Sequence, residues 1–171
     1  SYSLVEKLKQ VGVQHFAVLS GDHESIVSSV CKKLGIAEYH SRLLPIDKVE
    51  YLKKLEKTSK NPVAFVGDGM NDALVLASAD VGISLGGIGS DAAIEASDMV
   101  LMNDRISLIA KAIQISKKTQ NIIWQNIIFA ISIKVLVLIL GSLGIANIWS
   151  AVFSDVGVTV LAIMNSIRIL K

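Results

Sequence analysis

From Ile122 to Ile167, roughly forty-six residues, the only charged side chains are Lys134 and Asp155, and that run restricts the fold more than any other feature of the chain. A helix needs about 20 mostly apolar residues to cross a bilayer. The run holds two such stretches, Ile122 to Leu143 and about Ile148 to Ile169, separated by "GSLGIAN". Two adjacent stretches of this length favour a spanning hairpin over burial in a soluble core. The link carries no Lys or Arg, whereas Arg105, Lys111, Lys117 and Lys118 precede the pair and Arg168 and Lys171 follow it. Basic residues stay on the cytoplasmic side, so both outer ends, and whatever precedes them, belong in the cytoplasm.

The mean hydropathy of +0.54 and the hydrophobic share of 51% owe much to those two stretches. The 171 residues suit one ordinary core with an appendage. A net charge of +2 is too weak to indicate nucleic acid. The single cysteine, Cys31, rules out an internal disulfide and any multi-cysteine metal cage. No signal peptide opens the chain; "SYSLVEKLKQVGV" reads as an amphipathic helix taken from within a domain.

Up to about residue 103 the pattern alternates strand and helix. "HFAVLSGD" is a short apolar run ended by a turn, and a helix follows with Ile26, Val27, Val30 and Leu34 at helical spacing. "IDKVEYLKKLEK" reads as a charged surface helix and "NPVAFVGDG" as a buried strand entered through Pro62. "NDALVLASA", "DVGISL", "SDAAIEA" and "DMVLM" continue the alternation, which argues for a parallel sheet with helices on both faces. In such a sheet polar residues at the carboxyl ends of strands line the ligand crevice, and Ser20, Asp22 and Asp68 sit at such ends. Asp91 caps or polarises the helix it opens. "DRISLIAKAIQISKKTQ" continues as a long helix into the first apolar stretch, with Ile106, Ile109 and Ile113 on one face.

The two intramembrane charges need a reason, because each costs at least a few kcal/mol in a spanning helix. A hairpin turning near Gly144 puts Lys134 and Asp155 about ten or eleven positions from the turn, roughly 15 Å at the helical rise, so they lie at similar depth. Either they form an ion pair that pins the helices, or they belong to an ion path in which Asp155 offers a hard carboxylate and Lys134 a counter-charge. Gly157 follows, where a helix backbone loosens or closely approaches a neighbour. Spacing leaves both readings open.

In the soluble part three polar features fall in order: Ser20 in "LSGD", Lys48 in "LLPIDK", and Asp68, Asn71 and Asp72 in "GDGMND". Phosphoryl transfer is mostly positioning and charge neutralisation, and it calls for a hydroxyl, a lysine and Mg2+-holding carboxylates around the phosphoryl group. Gly67 and Gly69 let the backbone turn sharply beside Asp68. Singly these features are weak, since Ser-Gly-Asp turns are common and most lysines are merely solvated. As an ordered set they resemble the P-type ATPases, on the haloacid-dehalogenase-like phosphorylation domain, with "LSGD", "LLPIDK", "VGDGMNDALVLASADVGIS" and "DMVLM" as the matching motifs.

That resemblance implies an α/β, Rossmann-type parallel-sheet domain followed by a two-helix transmembrane hairpin. It implies that Asp68 coordinates Mg2+ with Asn71 and Asp72 in support, that Lys48 contacts the phosphoryl group, that Ser20 assists it, and that ATP is the substrate. His23 stands where relatives often have Asn. The hairpin resembles the last two helices of the zinc, cadmium and lead exporters, whose lysine and "DxG" aspartate belong to the transport site; these match Lys134 and Asp155. The Tyr-Asn and Met-Ser-Ser patterns of copper exporters are absent. The implied cargo is Zn2+, Cd2+ or Pb2+, and the implied setting is a prokaryotic plasma membrane.

The family's DKTG nucleophile and Cys-Pro-Cys motif do not occur, and "SDVGVT" inside a span is a false echo. The expectation is a carboxyl-terminal fragment or a truncated gene product, unable to turn over ATP alone and dependent on the remainder of the pump. Its divisions are 1–103 for the phosphorylation domain, 104–121 for a connecting helix and 122–171 for the membrane pair. Two competing readings are a non-catalytic membrane protein that keeps the fold and pairs with another chain, and a membrane-anchored phosphatase; the absent nucleophile and the Lys/Asp pair weigh against the second.

Overall fold

The structure, a computed structural model, describes residues 2–68, 71–86, 91–102 and 106–170, except for the side chains of residues 2, 3 and 148. Two compact units divide the chain, one from Ser1 to Ala110 and one from Lys111 to Lys171.

In the first unit α1 (Tyr2–Gln10) buries Val5 and Leu8, one turn apart. It ends at Gly12, whose φ of 99° lets the chain reverse where a side chain would be strained. β1 (Ala17–Leu19) lies parallel to β2 (Glu38–His40). Between them α2 (Glu24–Leu34) stops at left-handed Gly35, where the Ile36 N–H donates to the Cys31 carbonyl at 3.0 Å. α2 buries Val27 and Cys31, whereas Ile26 and Val30 are exposed. The apolar spacing therefore marks a wider stripe than the sheet covers.

α3 (Pro45–Thr58) opens on Pro45, and the Asp47 carboxylate accepts the Leu44 N–H at 2.8 Å. It presents Val49 and Leu52 to Val75 of α4 (Ala73–Ser78), with Val63, Phe65 and Ala79 closing the cluster. Each fully buried Leu or Val side chain there contributes about 1.5–3 kcal/mol. β3 (Ala64–Gly67), β4 (Val81–Leu85) and β5 (Met99–Leu101) form a second parallel sheet, with α5 (Asp91–Ala96) between β4 and β5. Gly82 is imposed by crowding, because a Cβ there would lie 2.4 Å from the Leu76 carbonyl oxygen. Ser84, fully buried, shares a hydrogen bond of 2.9 Å with the Ser97 hydroxyl.

One expectation changes. Among the described residues the parallel strands form two sheets, β1–β2 and β3–β4–β5, rather than one. Among the described residues β1 and β3 each pair on one side only. β3 is consequently not the buried strand its apolar run suggests, and Ala64 and Val66 are exposed.

The second unit is built on α6 (Leu108–Ser142) and α7 (Ile148–Ser166), followed by a short 3-10 turn (Ile167–Leu170). Both helices are long and apolar enough to cross a membrane. Gly144, at φ 74°, makes the connection, and the Asn147 side chain caps α7 by accepting the Ser150 N–H at 3.0 Å.

Candidate functional site

β1 ends one residue before Ser20 and β3 one residue before Asp68, so both sit at carboxyl ends of parallel strands. Ser20 is held by its own loop: its N–H donates to the His40 carbonyl and its carbonyl accepts from Leu43, each at 3.0 Å. Its hydroxyl donates to the Asp22 carboxylate at 3.1 Å and accepts the Asp22 N–H at 3.2 Å. Arg42, at φ 56°, bends the following segment, and its N–H donates to the Asp22 carbonyl.

Lys48 lies in the first turn of α3, and its Nζ donates to Asp72 Oδ1 at 2.7 Å; each side chain is 12% exposed. Asp72 immediately precedes α4 and packs over the end of β3. A Cβ on Gly67 would stand 2.9 Å from Asp72 Oδ2, so the glycine is what lets that carboxylate reach this position. Lys48, Gly67 and Asp72 thus form one contiguous group. Asp68 projects from the same strand end, exposed and without a protein partner among the described residues. Asn71 is exposed as well, while Gly69, expected in the same turn, lies outside the described residues. Ser20 is bonded to Asp22 rather than to this group.

This donor set suits a hard divalent cation. Among the described residues no three His, Cys, Asp or Glu side chains converge on one point. Mg2+ needs no such cage, because it keeps several waters and takes one or two carboxylates together with substrate phosphate oxygens. An exposed Asp68, without a protein partner among the described residues, beside a charge-compensated Asp72 fits that habit.

In the second unit Lys134 Nζ lies 3.5 Å from Asp155 Oδ1, both side chains 61% exposed, so the equal depth read from the hairpin becomes a direct ion pair.

Two clusters had no place in the sequence reading. His15 Nε2 approaches Glu38 Oε2 at 2.6 Å, the Tyr51 hydroxyl donates to Glu38 Oε1, and the His40 ring packs on Tyr51 at 4.3 Å, which ties the first sheet to α3. Between α6 and α7, Asn126 and Asn165 join through their amides. Their signal in the sequence is the amides Gln125 and Asn126 in the first apolar stretch and Asn165 in the second, which carry no charge.

Residues 1–80 match a family described as haloacid dehalogenase-like hydrolase. Over 169 residues the chain is 51% identical to the cadmium, zinc and cobalt-transporting ATPase of Bacillus subtilis (strain 168), covering 98% of this chain and 24% of that protein. It is 48% identical to the zinc-transporting ATPase of Synechocystis sp. (strain ATCC 27184 / PCC 6803 / Kazusa), over 98% of this chain and 23% of that one. The chain therefore spans about a quarter of the length of these relatives. A crystal structure of a zinc-transporting PIB-type ATPase in the E2.Pi state matches with a TM-score of 0.93 at 34% identity, over 99% of this chain and 27% of the other.

Proposed function

The chain belongs to the heavy-metal-transporting P-type ATPases, and from that premise we propose that it is part of an ATP-driven efflux pump coupling ATP hydrolysis, through an aspartyl-phosphate, to export of Zn2+, Cd2+ or Pb2+. The names of the relatives support zinc and cadmium and add cobalt. The single observation that carries the reading is the 2.7 Å contact of Lys48 with Asp72 over Gly67, beside the exposed Asp68. A lysine so held brings positive charge to the end of a strand without leaving it unpaired in the interior.

Asp68, with Asn71 and Asp72, holds Mg2+, which when bound neutralises charge on phosphate oxygens. Lys48 adds its ammonium toward the phosphoryl group, Gly67 keeps room for Asp72, and the Ser20 hydroxyl, held in its loop by the Asp22 N–H, turns its proton from the Asp22 carboxylate to a phosphoryl oxygen. The phosphorylated aspartate and the nucleotide-binding part belong to the remainder of the pump, and the unpaired edges of β1 and β3 suit a further strand from it. Residues 1–103 act in phosphorylation, 104–121 connect, and 122–171 cross the membrane, the plasma membrane of a prokaryote.

Asp155 is a ligand for the exported cation and Lys134 the charge that compensates it once the ion has left. A largely exposed ion pair is costly against lipid, so other helices of the pump cover it. In the full-length pump, Asp68→Asn should abolish metal-dependent phosphoenzyme, and Asp155→Ala should lose metal-stimulated turnover and bound metal together. Wild-type phosphoenzyme in the first, or wild-type zinc and cadmium transport in the second, refutes the corresponding assignment.

A further inference from the structure

The contact between α6 and α7 carries a polar chain separate from the Lys134–Asp155 pair. Arg168 Nη1 donates to Asn165 Oδ1 at 3.0 Å, and Asn165 Nδ2 donates to Asn126 Oδ1 at 2.9 Å and to Gln125 Oε1 at 3.3 Å. Asn126 Nδ2 then donates to the Ser166 hydroxyl at 3.0 Å and the Ala162 carbonyl at 3.3 Å. The direction of this chain is determined, because arginine only donates. Its donation turns the Asn165 oxygen toward Arg168 and the Asn165 nitrogen toward Asn126, which in turn aims the Asn126 nitrogen at α7.

Beyond these amides the two stretches are composed largely of Ile, Val, Leu and Ala, and lipid is as apolar as these. Apolar packing alone therefore lets one helix slide along the other at little cost. The amides do not tolerate sliding, since any shift leaves polar groups unpaired in hydrocarbon.

The same register governs the ion pair. Lys134 lies eight positions after Asn126, about 12 Å of rise, and Asp155 ten positions before Asn165, about 15 Å. Eight positions carry α6 about 80° past two turns, and ten leave α7 about 80° short of three. Travelling from the amides toward the connection, both helices turn in the same sense but their net offsets have opposite sign, and because the two amides face each other this brings Lys134 and Asp155 to the same flank of the hairpin. That matches their 3.5 Å separation and equal exposure. A slip of one turn, about 5.4 Å, separates them.

We propose that Asn126 and Asn165 are positioning residues: an amide clasp, oriented by Arg168, that sets the register of α6 against α7 and so holds Lys134 and Asp155 at one depth on one flank. The functional side of this inference rests on the reading of that pair as the cargo site.

The test uses the full-length pump in liposomes, with Asn126→Ala, Asn165→Ala, the double variant and Asn126→Gln. Two measurements are made: zinc dependence of ATPase activity, and cross-linking by a short bismaleimide of cysteines placed at 134 and 155 in an otherwise cysteine-free background, without metal or ATP. Each alanine variant should raise KM for zinc by about tenfold, with kcat within about twofold, and lower cross-linking several-fold. The double variant should be no worse than either single one, because both break the same clasp, and Asn126→Gln, which retains an amide, should recover part of the loss. Cross-linking unchanged in either alanine variant overturns the clasp, as do effects that multiply in the double variant. Reduced cross-linking in a pump whose wild type ignores zinc and cadmium overturns the transport reading instead and leaves the clasp standing.

Discussion

Replacing Lys48 by methionine keeps most of the side-chain stem and removes its charge. At 2.7 Å and an effective dielectric of about 20 the gross attraction to Asp72 is about 6 kcal/mol, most of it offset by taking both groups out of water. The variant loses more than that small net value, because Asp72, only 9% exposed, keeps its charge and loses its partner. Breaking a buried pair costs about 3–5 kcal/mol, and the residual access of water to Asp72 points to the lower end, about 3 kcal/mol. For a unit of this size that is about 10–20 °C in Tm. Cys31, the one thiol of the chain, reports on the first unit directly, since it is 1% exposed on α2. The assay is the urea midpoint for alkylation of Cys31, read by mass spectrometry on the 171-residue chain in detergent. Lys48→Met combined with Asp72→Leu should recover at least about 1 kcal/mol relative to the sum of the single losses. A loss under about 1 kcal/mol for Lys48→Met, or strict additivity, would show that the pair is solvated and that Lys48 is an ordinary surface lysine.

Gly82→Ala should cost about 3 kcal/mol in the same assay, because its Cβ would press on the Leu76 backbone rather than on a side chain able to move aside; a loss below about 0.5 kcal/mol contradicts that packing. Burial pushes the Cys31 thiol above its ordinary value of 9.0, so the native thiol remains protonated where the unfolded one ionises. Stability from this group is complete below the unfolded value and falls as pH rises through the raised native one; the urea midpoint, read by limited proteolysis of the first unit so that a chain without a thiol can be followed too, should drop with pH in that window, and Cys31→Ala should remove this component of the drop.

The membrane pair was legible because hydrocarbon imposes composition: Ile122 to Ile167 has almost no other way to be stable. The phosphate-side motif was legible because its residues are close in sequence and adjacent to a strand end. What escaped was decided by contacts between distant positions. Periodicity placed Ile26 and Val30 on the apolar face of α2, but only the fold determines how much of that face is covered. The apolar run of β3 looked like a central strand, and its sheet leaves one edge unpaired. Lys48 and Asp72 were each assigned toward ligand, and their mutual contact became visible only with α3 and α4 packed together. The amide clasp is likewise a product of register, which no single stretch contains.

The unpaired edges of β1 and β3 also bear on how such a chain survives synthesis. A strand with one free row of N–H and C=O groups is a template for any other strand, and Val66, 38% exposed, adds apolar surface beside it. Expressed by itself, the first unit is open to edge-to-edge self-association. A companion strand that satisfies those rows would protect the chain from aggregation as well as complete a sheet, so solubility during folding would depend on when that strand arrives.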